Sequence, residues 1–239
     1  MVPEAHMTHR SLAAGSGASF PGAGARDEIL FKVRGALSRR NDQLSPPPAW
    51  SVPSCPPECP QPGMERLLRE IDNLGGITRQ VKTRSELRSA LVELAIAQGI
   101  QRATLWETRE LAELRIGETL QGLGIRLVSP HADKSQLAEC DLGVTGVDCA
   151  LPETGTLLLC SSAVRPLSVS LLPRVHLAIL GASVLRRDLA QALAEVRGRR
   201  AVCITGPSRT ADIEMTLAVG VHGPRVLAVW ALGTDFTPG

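Results

Sequence analysis

The sequence predicts an α/β domain, a mainly parallel sheet with helices on both faces. Short apolar runs such as Leu142–Thr145 and Val175–Leu180 suit strands buried on both faces. Between the runs lie amphipathic stretches of helical period, several opened by capping residues. The 44% hydrophobic content includes only 3% aromatic residues and no Tyr, so the core is built from Leu, Ile, Val and Ala.

In chain order, residues 1–25 are rich in Gly, Ala and Ser and are expected to be disordered. Arg26–Arg40 reads as a short amphipathic helix with Ile29, Leu30, Val33 and Leu37 on one side. Eight prolines between Ser45 and Gly63 exclude helix and central strand, which makes this stretch an extended linker. A tail, helix and linker over 1–63 thus precede a domain over 64–239. Met64–Leu74 is helical and stops at Gly75-Gly76, and Thr83 with Glu86 opens a helix to about Gln98. Arg102–Trp106 is a strand, and Thr108 caps a helix ending near Gly122. Ile125–Val128 is a strand, and Asp133 with Gln136 opens a short helix. Strands follow at Leu142–Thr145, Thr156–Cys160 and Val175–Leu180. A helix over Leu185–Val196, a strand Ala201–Thr205, a helix after Arg209 and a strand Val226–Leu232 complete the pattern.

Composition excludes several classes. A chain of 239 residues with formal net charge +2 lacks the concentrated basic face of a nucleic-acid binder. Arg197–Arg200 reads as a solvated helix end, favoured by the macrodipole. The best apolar stretch, Leu167–Ala182, is broken by Pro173, Arg174 and His176, so no membrane span is expected. The N-terminus does not read as a signal peptide. The six Cys lack the spacing of a disulfide framework, which points to reduced thiols and a cytoplasmic location. Cys55 and Cys59 form a pair without a second pair, a poor zinc site, and no iron–sulfur run is present. No metal or cofactor is therefore expected on this chain.

Two segments have polar residues and glycines too dense for mere connections. The first runs from Asp141 to Thr156, where a strand ends at Thr145-Gly146 and Asp148 and Glu153 follow. Ligands of open α/β sheets sit outside the carboxyl ends of strands. Two carboxylates there suit general acid or base work, or equally the capping of turn amides. The second is Thr205-Gly206-Pro207-Ser208-Arg209-Thr210-Ala211-Asp212, a strand running into a turn and an expected helix. Helix amides, hydroxyls and a guanidinium fork suit a carboxylate or phosphate. N-capping explains Ser208, Thr210 and Asp212 but leaves Gly206 and Arg209 unexplained. His176 lies inside an apolar strand and reads as a core residue. His222 precedes the last strand, where a lone His is more often structural than catalytic.

The turn Glu153–Thr156, the stretch Val169–His176, the string Thr205–Glu214 and the turn Gly220–Pro224 together resemble the LUD domain of the lactate-utilisation protein C (LutC/YkgG) family. The similarity runs from about Met64 to Leu232. It implies a fold similar to ribose-5-phosphate isomerases and coenzyme A transferases. It also implies a non-redox or accessory role in oxidising L-lactate to pyruvate, beside partner proteins that carry the iron–sulfur clusters. The residues expected at a small-anion site are Thr154, Gly155, Thr156, Gly206, Ser208, Arg209, Thr210, Asp212 and His222, with Asp148 and Glu153 as the acid or base. Gly146-Val147-Asp148 stands where sugar-phosphate isomerases of that superfamily have a Gly-Ala-Asp turn. The lysine that usually follows in them is absent here. Two other classes stay open, an independent isomerase or transferase and a purely interacting scaffold.

Overall fold

A computed structural model describes residues 24–41, 63–210, 218–219 and 223–237. The chain divides into two compact units, Met1–Pro53 and Ser54–Gly239. In the first, α1 spans Ala25–Asn41. Its apolar residues Ile29, Leu30, Phe31, Val33 and Leu37 are exposed, so among the described residues the expected apolar side covers no core. The tail and most of the proline-rich stretch lie outside the described residues.

The second unit is built on a six-stranded sheet whose described pairings are all parallel. Its strands are β1 (Ile77–Thr83), β2 (Arg102–Leu105), β3 (Arg126–Leu127), β4 (Leu142–Thr145), β7 (Val175–Leu180) and β11 (Val226–Thr237). Their spatial order is β1-β11-β7-β4-β2-β3. The central strands β4 and β7 are buried at every position, as their largely apolar runs require. Helices α2 (Met64–Asn73) and α3 (Arg84–Gln98) pack on β1, α5 (Ile116–Gly122) on β3, and α7 (Ser168–Leu171) on β4 and β7. The short helices α4 (Arg109–Glu113), α6 (Lys134–Ala138) and α8 (Leu189–Glu195) complete the set. The Thr83 hydroxyl accepts the Glu86 amide at 3.2 Å, and Glu86 accepts the Lys82 amide at 2.8 Å, so the capping pair opens α3. Asp141 ties the amino edge of the sheet together. It accepts the Gln101 and Arg102 amides at 2.8 and 3.0 Å and the Arg174 guanidinium at 3.0 Å.

Several expectations are corrected. Thr156–Cys160 (β6) leaves the main sheet and pairs antiparallel with β5 (Cys149–Leu151) and β8 (Ala201–Ile204). An apolar run specifies burial, and a second sheet over the first buries it as well. The helix expected from Thr108 to Gly122 is two, broken at Arg115 with φ 54°. The helix expected from Leu185 starts at Leu189, where Asp188 accepts the Gln191 amide at 2.8 Å. Arg209–Thr210 is β9, paired antiparallel with β10 (Ala218–Val219), and the helix expected after Arg209 would begin only beyond it. Residues 211–217 lie outside the described residues.

Candidate functional site

The two glycine-punctuated segments meet. β6 and β8 run side by side with Leu157 opposite Ile204, which sets Thr156 against Thr205. Their hydroxyl oxygens are 2.8 Å apart, and Thr154 extends the chain at 2.7 Å from Thr156. Both turns back onto the carboxyl end of α2. A Cβ on Gly155 would lie 3.1 Å from the backbone at Glu70 and Ile71, and one on Gly206 would lie 3.1 Å from Leu74 Cβ. Both glycines also adopt positive φ, 65° and 88°, so glycine is required twice over. Arg209 donates through Nη2 to the carbonyl of Leu74. A cation there satisfies an orphan carbonyl at the end of α2 and complements its dipole.

Beside the Thr205–Ser208 turn lies a cavity of about 170 Å³ lined by Ser170, Leu171, His176, Gly206, Ser208 and Leu227, among others. The Ser208 amide donates to Pro224 O at 2.9 Å, just before β11 begins. Leu74 and Gly75, against which Arg209 is placed, precede β1. The turn therefore sits at the amino edge of the parallel sheet, not at the carboxyl ends where the expected site was placed. The reason is β8, which belongs to the antiparallel sheet and so exits in its own direction.

His176 is a core residue, 1% exposed, and it also lines this cavity. Its Nε2 lies 2.8 Å from Thr145 Oγ1, and its Nδ1 has no partner among the described residues. Burial pushes its pKa down from 6.5 to about 3. The native ring therefore holds fewer protons than the unfolded chain between those values. Stability from its neutral burial is complete above pH 6.5 and is lost as pH falls toward 3. Urea midpoints should accordingly fall between pH 7 and pH 4, and His176→Gln should remove part of that slope.

Asp148 stands apart from this cluster. Its carboxylate accepts the Cys160 amide and Arg165 Nη1, each at 2.8 Å, with Arg199 at 3.7 Å. Arg165 also lies over the Trp106 ring at 5.6 Å, and Trp106 donates to Pro166 O at 2.9 Å. From β2 the sheet continues outward to β3, and from β4 the other way to β7, so a topological switch point lies between β2 and β4. The crevice expected at their carboxyl ends is bridged by Arg165 and Pro166. Glu153 is exposed and faces Arg66 at 3.5 Å. The rise of β6 from Thr156 to Cys160, about 13 Å, separates the two acids. Among the described residues neither acid is a partner of Arg209. Thr210 lies in β9, while Asp212 and His222 fall outside the described residues. Among the described residues no group of three or more His, Cys, Asp or Glu could hold a metal ion. No described helix is long and apolar enough to cross a membrane.

A parallel α/β sheet carrying a smaller antiparallel one, with a small, mainly apolar cavity between them, defines the class of domain. The LUD domain sequence model matches residues 64–230, and the chain belongs to that family. It is 37% identical to the lactate utilization protein C of Shouchella clausii over 61% of this chain and 68% of that one. With lactate utilization protein C 1 of Bacillus mycoides the identity is 28%, over 83% of this chain and 93% of the relative. Matches to three further relatives span 40 to 46% of their lengths. The crystal structure of a DUF162 family protein from Deinococcus radiodurans superposes with a TM-score of 0.52 at 21% identity. It covers 71% of this chain and 95% of the other, a likeness of fold.

Proposed function

We propose that this chain is a non-redox component of a lactate-utilising system, and that it binds a small anionic ligand in the cavity beside Thr205–Ser208. Relatives named lactate utilization protein C support the setting. The observation that carries the binding reading is the convergence of both glycine turns beside a cavity of about 170 Å³. That volume is below the range typical of drug-sized ligands and suits a molecule of roughly half a dozen heavy atoms. The electron transfer of lactate oxidation belongs, in this reading, to partner proteins carrying iron–sulfur clusters. Use of Asp148 as a catalytic base is disfavoured, because two guanidinium groups and a backbone amide already occupy its carboxylate.

Native mass spectrometry of the full chain with pyruvate, L-lactate, phosphate and coenzyme A tests this. A one-to-one adduct with a small anion, and no turnover by the chain alone, is the expected result. Absence of any adduct, or turnover without partners, contradicts it. Arg209 seats the turn on α2 rather than forking onto the ligand. Arg209→Ala should therefore lower stability by roughly 1 kcal/mol, a few degrees in Tm, with a weaker second effect on binding. Arg209→Lys keeps the charge at the helix end and should lie between. An unchanged Tm with binding abolished would return Arg209 to the ligand itself.

A further inference from the structure

We propose that His176 is the residue that recognises the ligand, its Nδ1–H donating to a carboxylate oxygen of a small 2-oxo or 2-hydroxy acid. This rests on the reading that the cavity takes a small anion. The first step is the tautomer. Thr145 is fully buried, and its hydroxyl has one partner among the described residues, His176 Nε2 at 2.8 Å. If Nε2 carried the proton, the Thr145 O–H would itself be left without an acceptor. The Nδ1 lone pair would be unpartnered too, whereas a Thr145 O–H donated to Nε2 leaves only the Nδ1–H without a partner, so Thr145 donates and Nε2 accepts. The ring proton is then on Nδ1, the nitrogen that no described group satisfies.

A buried, partnerless N–H in a ring lining a cavity is built to meet an acceptor. The ring is neutral, so it contributes a directed donor rather than a counter-charge. The rest of the lining decides between anions. Apolar residues such as Leu171, Ile204 and Leu227 make most of the wall. Ser170 already spends its hydroxyl on Leu167 O and Thr205 shares its own with Thr156, each at 2.8 Å. That leaves Ser208 as the remaining hydroxyl among the described lining residues. Such walls have little to offer the several oxygens of free phosphate. They suit a molecule with one acceptor end and a short hydrocarbon end. The register supports a fixed position for the ring. His176 stands opposite Gly143 on β4, and the missing side chain there lets α7 close over the strand.

The test combines imidazole nitrogen NMR with titration calorimetry on the full chain, using sodium pyruvate, sodium L-lactate and sodium phosphate as probes. In the free protein the His176 proton should be on Nδ1, and pyruvate or lactate should shift that nitrogen. His176→Gln, which retains a partner for Thr145 but has no group at the Nδ1 position, should weaken pyruvate binding by about ten- to a hundredfold. His176→Asn, which keeps an N–H near the Nδ1 position, should retain more binding than His176→Gln. A proton found on Nε2 overturns the proposal even if the variants fail to fold. So does undiminished pyruvate binding by His176→Gln, or tighter binding of phosphate than of pyruvate, although both leave a small-anion cavity standing. If the wild type binds none of the three probes, the cavity reading and this proposal fall together.

Discussion

Gly143→Ala is expected to be among the most damaging single substitutions in the domain. A Cβ at this position would lie 1.9 Å from the carbonyl oxygen of Val169 and 3.0 Å from Pro173 Cγ. The strand cannot yield, because β4 is hydrogen-bonded to β2 on one side and β7 on the other. The obstacle on α7 is a backbone oxygen, so trimming the Val169 side chain offers no relief. Overpacking typically costs 1–3 kcal/mol, and a backbone obstacle places this case at about 3 kcal/mol or more. For a domain of this size that is roughly 6–12 °C in Tm. The same displacement shifts Ser170 and Leu171 in the cavity wall, so pyruvate binding should be lost as well. A near-wild-type melting curve for Gly143→Ala would show that α7 does not close on β4 as described.

The second large effect is expected at Asp148. Asp148→Ala strands the Cys160 amide and leaves Arg165 and Arg199 facing a position without a carboxylate. Removing one partner of a buried pair is strongly destabilising, because the remaining charge keeps its desolvation cost. The Asp148 side chain is 11% exposed and that of Arg165 26%, so the loss should fall below the fully buried case, on the order of 2–4 kcal/mol. Asp148→Asn keeps an acceptor for the Cys160 amide and should lose roughly half as much. Denaturant midpoints of the two variants measure this directly. The enzyme reading makes the opposite prediction: Asp148→Asn would fold normally and abolish lactate oxidation in the presence of the partners.

How much of this was legible follows from what each residue pattern encodes. β4, β6 and β7 stand out as largely apolar runs because each is buried at every position. β1 is hidden because it is an edge strand. Only Val81 of its seven residues is buried, and Thr78, Arg79, Gln80 and Lys82 break the apolar pattern. Sheet membership was not legible for Thr156–Cys160, since burial by a second sheet leaves the same local imprint as burial in the first. The two glycine turns were visible as candidates because Gly155 and Gly206 serve positive φ and close approach to α2, and such glycines punctuate a sequence. Asp148 was ambiguous because Arg165 and Arg199 reach it only through the fold. His176 read as core, which it is, but its place in a cavity wall was missed. A signal did exist in Thr104, Thr145 and His176, polar residues set beside apolar neighbours in β2, β4 and β7. Register places Thr104 and His176 opposite Gly143, with Thr145 two residues further on the same strand face.

The proposed ligand position is the amino edge of the parallel sheet, between His176 and the Thr205–Ser208 turn. Diffraction from crystals of the full chain soaked in sodium pyruvate tests it most directly. Density is expected in the cavity, with one carboxylate oxygen within hydrogen-bond distance of His176 Nδ1. Pyruvate bound instead at the carboxyl ends of β2 and β4, beside Trp106 and Asp148, would contradict it.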